Sequence, residues 1–341
     1  MNNVSVDNTS AVADYRGAQQ RTNVLWVAWR QQRFQVLTSL ALVGAAALGL
    51  VIFRLNLVGA LAELGFHGCA PLADDGDCAA SYPADIPEQF SAIASLVPLV
   101  MLALPPLLGV LAGGPLFARE YEQGTQILSL TQAVGPAKWW ASKTAVAGLP
   151  VAGGLLALGL VNEWALAPMS SFAGRHLLTP SFQTRGITPA AYFILAFAIA
   201  VTAGIVLRNT AAAIGLTVAI YVVFLLLFGI ARPHYATPEQ WREAVPADSS
   251  TAQATDAGDS WQLDYYYLDA AGDQLTPRTR DCPADTAYEH CLAQQGVVGL
   301  VIEYHPADRF WRFQATEAAL ALAASAALFG AGLARLRRRI T

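Results

Sequence analysis

Apolar residues in this chain come in long blocks, not in alternation. Six runs, at 36–53, 91–113, 144–168, 189–207, 211–230 and 313–333, meet or approach the length of a membrane span. About 20 apolar residues in a helix cross a hydrocarbon layer roughly 30 Å thick. The pattern therefore predicts an all-α polytopic membrane protein with six transmembrane helices. It divides the chain into a polar lead at 1–35, a spanning domain at 36–334 that contains a long loop at 231–312, and a basic tail at 335–341.

The lead is polar to about Thr22 and then reads "NVLWVAWRQQRFQ", with Leu25, Trp26, Trp29 and Phe34 near helical spacing beside Arg30 and Arg33. That suits an N-terminal interfacial helix lying at the membrane surface. The alternative is a span that starts early, with both arginines snorkelling to the headgroups. No small-residue cleavage pattern follows the first run, so it reads as an uncleaved span.

Composition agrees with the blocks: 55% of residues are hydrophobic and 13% charged, against about 25% charged in soluble domains. Charge then orients the spans. One side collects Arg16, Arg21, Arg30, Arg33, Arg119, Lys138, Lys143, Arg208, Arg335, Arg337, Arg338 and Arg339, against only Asp7, Asp14, Glu120 and Glu122. Basic residues gather on the cytoplasmic face. Both termini and the segment at 114–143 are therefore expected in the cytoplasm. Nothing in this charge pattern calls for nucleic acid.

The four cysteines, Cys69, Cys78, Cys282 and Cys291, all fall in loops assigned to the outside, where disulfides form. Two local bridges are the simplest pairing, and a cross-loop pairing stays open. His67 and His290 lie beside cysteines, but the spacing is not that of common zinc sites, so no metal is expected. The outside loop at 54–90 is acidic. The one at 169–188 is short enough to re-enter the interface, and "WQLDYYYLD" within 231–312 predicts a strand in a small cap.

The segment "AREYEQGTQILSLTQAVGPAKWW" (118–140) stands out because it is charged and half-apolar between two spans. Gly113, Gly114 and Pro115 are expected to interrupt the second span. Phe117, Tyr121, Gly124 and Leu128 then share one helical face, with Arg119, Glu120 and Glu122 mainly off it. Gly124 with Thr125 is expected to close a turn and cap the next, and Gly135 with Pro136 to start the third helix. Lys138, Trp139, Trp140 and Lys143 read as headgroup anchors. The result is a short amphipathic elbow on the inner face.

"REYEQGTQILSLTQAVGPAKWWASK" between the second and third of six spans resembles the permease subunits of type-2 ABC exporters, in a form common in actinomycetes. "WVAWRQQR", "LRNTAAA" and "YHPADRFWRFQATEAAL" resemble the same family, in the same order along the chain. At Gly135 and Pro136 the family more often has Ser or Thr followed by Arg. The resemblance implies that 117–132 contains a cytoplasmic coupling helix for a separate ABC ATPase subunit. ATP and magnesium would sit on that partner, and no cofactor on this chain, which is not itself an enzyme. A second copy or a paralogous permease would complete the pathway. The chain has no G-x-x-x-x-G-K-[ST] phosphate loop, in keeping with a separate ATPase.

Inside the spans, Glu317 is the one conspicuous acid, three residues after Gln314. A charge there marks either a substrate-path or packing contact, or a wet glutamate paired with Arg309 or Arg312. Asn162 and Glu163 read as interface residues. Two other classes remain open at this stage: an ion-driven secondary transporter, which would need more buried polar groups, and a membrane scaffold or sensor with an extracytoplasmic cap. The substrate is not legible.

Overall fold

A computed structural model describes residues 8–63, 88–124, 135–169, 177–244, 260–278, 282 and 288–338. The principal helices are α1 (Asn8–Glu63), α2 (Glu88–Glu122), α3 (Pro136–Leu166), the short α4 (Ser181–Thr184), α5 (Thr188–Leu207), α6 (Thr210–Ala231), α7 (Tyr288–Gln294) and α8 (Phe310–Arg337). Among the described residues, six helices are long and apolar enough to cross a membrane. These are the regions Val24–Ala60, Ser95–Glu122, Pro136–Leu166, Thr188–Leu207, Thr210–His234 and Ala307–Arg337. All six predicted spans are present.

Two expected interruptions are absent. The lead does not form a separate interfacial helix, because α1 is continuous from Asn8 to Glu63. Residues 18–43 contain neither Pro nor Gly to break it, and Ala28 and Gln32 are already buried before the predicted start of the span. Likewise, Gly113, Gly114 and Pro115 do not end the second span, because α2 passes through them to Glu122. Gly113 is a packing residue. A Cβ there would meet the Ala200 Cβ at 2.7 Å and the Phe197 carbonyl oxygen at 2.9 Å, so glycine lets α2 lie directly on α5. Pro115 lacks the N–H that would bond to the Leu111 carbonyl four residues back. The side-chain amide of Gln35, from α1, donates to that carbonyl instead.

α5 is the central helix, buried along most of its length by α2, α3, α6 and α8. Its alanines at 191, 196, 198, 200 and 203 bring neighbouring backbones close. α6 buries only Ala213, Thr217, Tyr221 and Phe228, while Val222, Leu226 and Ile230 face outward. That is the pattern of a helix against lipid.

Between α6 and α8 stands the cap. Strands β1 (Glu239–Ala244), β2 (Trp261–Leu268), β3 (Gln274–Leu275) and β4 (Gly299–His305) form an antiparallel sheet in the order β1-β4-β2-β3. β2 is the predicted strand. The β2–β3 turn is held by Asp269, whose Oδ1 accepts the N–H groups of Ala271 and Asp273, both at 2.9 Å. Cys282 is bridged to Cys291, with Cα atoms 5.7 Å apart, which is the expected local pairing. Cys69 and Cys78 lie outside the described residues.

Candidate functional site

At the end of the bundle that bears the chain termini, the last turns of α2 meet α3 and the α5–α6 hairpin. The predicted coupling residues divide there. Phe117 is 1% exposed and packs edge-on against Trp139 with ring centroids 5.2 Å apart. It belongs to the core and is not part of an outward docking face. The helix simply continues at that position, so its apolar side stays turned into the bundle. Arg119 is exposed. Glu120 forms an ion pair with Lys143. Tyr121 is half-buried, and the Arg208 guanidinium lies 5.2 Å from its ring centroid. Glu122 accepts the backbone N–H of Thr210 at 2.7 Å and the Thr210 hydroxyl at 3.0 Å.

Gly124 closes the helix at φ 66°, as expected of glycine. Thr125 and Leu128 lie outside the described residues. The headgroup-anchor reading of 138–143 needs correction: Lys143 is 5% exposed and also lies 4.7 Å from the Trp139 ring centroid, while Trp140 packs on Phe329 of α8. Pairing with Glu120 lets Lys143 remain inside. Across the hairpin, Arg208 adopts φ 54°, and the Asn209 side chain caps α6 by accepting the N–H of Ala212 at 2.8 Å. This cap was missed in the sequence, although Asn directly before "TAAA" is the local signal for it. The partnership of Glu122 with Thr210 carries no local signal, because it joins residues 88 positions apart.

At the opposite, cap-bearing end, Glu317 is not a wet glutamate, and neither Arg309 nor Arg312 is its partner. It is 0% exposed. Arg232 donates to it twice, Nε to Oε2 at 3.0 Å and Nη2 to Oε1 at 2.9 Å, and the Tyr192 hydroxyl donates to Oε1. A paired fork of this kind is the arrangement that makes a charge tolerable in an apolar interior. Arg232 also donates to Thr179 Oγ1 at 3.1 Å and lies over the Phe182 ring. Sequence reading missed it because it follows the fifth apolar run and counted as loop. Arg309 is occupied elsewhere, bonding to Glu239 at 2.6 Å.

Gln314 is equally buried. Its Oε1 accepts the N–H groups of Ile187 and Thr188 at 3.0 and 3.1 Å, and its Nε2 donates to the Phe182 carbonyl at 2.8 Å. It thus satisfies N–H groups at the start of α5 that the helix leaves unbonded. The segment at 177–187 folds inward as the short loop allowed, burying Leu177, Phe182, Gln183, Thr184 and Arg185. Asn162 is fully buried beneath it, donating to the Thr184 carbonyl at 2.8 Å, and is no interface residue. Glu163 lies 3.8 Å from Arg185.

A family model described as "ABC-2 membrane transporter related" matches residues 40–232. The chain belongs to this family. The ABC-2 match covers α2, α3, α5 and α6 and the greater part of the first span, and it ends at Arg232, so the cap and α8 lie beyond it. No curated protein and no solved structure matches the chain. ABC-2 membership and six apolar helices make this a multi-pass membrane protein of a transport family.

Proposed function

We propose that this chain is the membrane-spanning permease subunit of an ABC exporter in a bacterial plasma membrane, with both termini in the cytoplasm and a separate ATPase docked at the terminus-bearing end. ATP and magnesium bind that ATPase, and a second permease, identical or paralogous, completes the path. The observation that carries the reading is the set of links made by the last turn of α2. Glu120 reaches α3 through Lys143, and Glu122 with Tyr121 reaches the α5–α6 hairpin through Thr210 and Arg208. A push on Tyr121 and Gly124 therefore moves three helix ends together, which a two-state bundle requires if it is to answer ATPase closure.

With Phe117 committed to the core, Tyr121 and Leu128 remain as the docking anchors, Arg119 orients the partner by charge, and Gly124 with Thr125 shapes the turn. Glu317 supports this reading over an ion-driven carrier, since its charge is already matched by Arg232. The first step of the test is whether a neighbouring reading frame encodes an ATPase with a phosphate-binding loop, and the second is co-purification with it. Tyr121→Ala is expected to weaken docking by about 2 kcal/mol, and Gly124→Val to abolish coupling through its strained φ. Unimpaired co-purification and ATP-dependent transport in both variants would reject the assignment.

A further inference from the structure

The segment at 177–187 closes the cap-bearing end of the bundle core. It lies against α2, α3, α5 and α8, beneath a cluster formed by Leu177, Phe182, Phe310 and Phe313. Side chains from other elements hold its backbone: Asn162 bonds to Thr184, and Gln314 to Phe182 and Ile187. Gly186, at φ 61°, brings its N–H to the Gly159 carbonyl at 3.0 Å. A Cβ on Gly159 would come within 2.2 Å of the Gly186 carbonyl oxygen.

Arg232 connects this segment to the spans. Its guanidinium spends two donors on Glu317 and one on Thr179, with Phe182 against its face. A buried ion pair is a poor way to gain stability alone, because desolvation offsets much of the attraction. Its best-attested use is to fix one arrangement against another. The Tyr221 hydroxyl is buried with no hydrogen-bond partner among the described residues. Its ring lies 6.3 Å from that of Tyr192, which already bonds Glu317. If Arg232 withdraws, Glu317 keeps its bond from Tyr192, and the unpartnered Tyr221 phenol is the ring beside it.

We propose that residues 177–187 are the cap-side gate of the transport path and that Arg232 is its latch, closed on Glu317 and Thr179 and released when Tyr192 and Tyr221 take over the carboxylate. The proposal rests on the reading of this chain as a permease, since a gate needs a path. Its test needs neither ATPase nor substrate, so the two fail separately.

Hydrogen exchange of the purified full chain in lipid nanodiscs reads the latch. Glu317→Gln is expected to speed exchange of the amides at 182 and 186–188 by about tenfold, with α2 and α3 unchanged. Thr179→Val removes only the contact between latch and gate, and is expected to give about a threefold rise confined to the same amides. This variant decides the matter if Glu317→Gln does not fold. A rise spread over the whole bundle, or no rise, would overturn the latch. The gate itself is read by a bulky hydrophilic maleimide on Ala321→Cys, a buried α8 position one turn beyond Glu317. Labelling is expected only when Glu317→Gln or Thr179→Val is also present. Equal labelling with and without the latch would show that 177–187 does not close a path.

Discussion

Gln35 of α1 donates its side-chain amide to the carbonyl of Leu111, the acceptor that Pro115 of α2 leaves unbonded. A proline inside a membrane helix is tolerated where another group takes up the freed carbonyl, and here that group comes from a different helix. Gln35→Leu is expected to lower stability by about 1–3 kcal/mol, the cost of leaving that carbonyl without a donor in an apolar surrounding. Pro115→Ala in the Gln35→Leu background restores the helix's own bond and is expected to recover most of the loss. A double-mutant cycle by thermal unfolding measures the coupling; additive effects would mean that the two residues do not act on the same carbonyl.

Phe117 and Tyr121 are one helical turn apart, yet the structure separates their roles. Phe117 packs in the core with Trp139, while Tyr121 is half-buried under Arg208. Phe117→Ala is expected to cost about 3 kcal/mol of stability through the cavity it leaves, with the surviving folded protein still binding the ATPase. Tyr121→Ala is expected to show the reverse: near-normal melting and weakened binding. Melting temperature and co-purification, measured on both variants, distinguish the two, and an identical profile would remove the distinction.

The bridge between Cys282 and Cys291 joins the stretch before α7 to the helix itself, closing a loop of sequence separation 9. In the chain-entropy account such a loop is worth about 2–3 kcal/mol. Cys282→Ser is therefore expected to destabilise the cap by that amount and to speed exchange in α7 and β4, while the six long helices keep their protection. Non-reducing peptide mapping of the parent checks the pairing.

How much of this was legible in the sequence depended on range. The six spans follow from block length, and β2 from the run of aromatic residues in "WQLDYYYLD", because both signals are local. The continuity of α2 was not legible. Gly113, Gly114 and Pro115 break helices by local rules, and only the contacts with Ala200 and Gln35 show why they do not do so here. The same holds for Arg232. As a sequence letter it ends a span, and only the approach of α8, 85 residues away, turns it into the partner of Glu317. Trp139 and Lys143 also looked like interface residues until Phe117 and Glu120 claimed them.

His305 joins the cap to the bundle through both ring nitrogens. Nε2 lies 2.9 Å from the Pro233 carbonyl oxygen and therefore carries the proton, while Nδ1 accepts from Arg309 Nη1 at 3.0 Å. Arg309 in turn bonds the Thr237 carbonyl at 2.7 Å and Glu239. The ring is packed between Trp261 and Phe313. Burial, first, and the Arg309 charge hold the imidazole below its ordinary pKa, opposed by the Pro233 hydrogen bond and by Glu239. The unfolded chain therefore takes up a proton at a higher pH than the folded chain does. Attachment of the cap is at full strength above about pH 6.5, the unperturbed value, and weakens as pH falls below it. A protonated ring would also lose its acceptor for Arg309 and place two cations side by side. Hydrogen exchange in β1 and β4 is expected to rise as pH drops from 7.5 to about 5, after correction for the intrinsic pH dependence of exchange. His305→Phe keeps the aromatic packing but cannot titrate, so it should flatten the dependence. Glu239→Gln removes a charge that raises the folded-state pKa of His305, so the loss should begin at the same pH but continue to lower pH. A pH dependence of the same size in His305→Phe would assign the effect to another group.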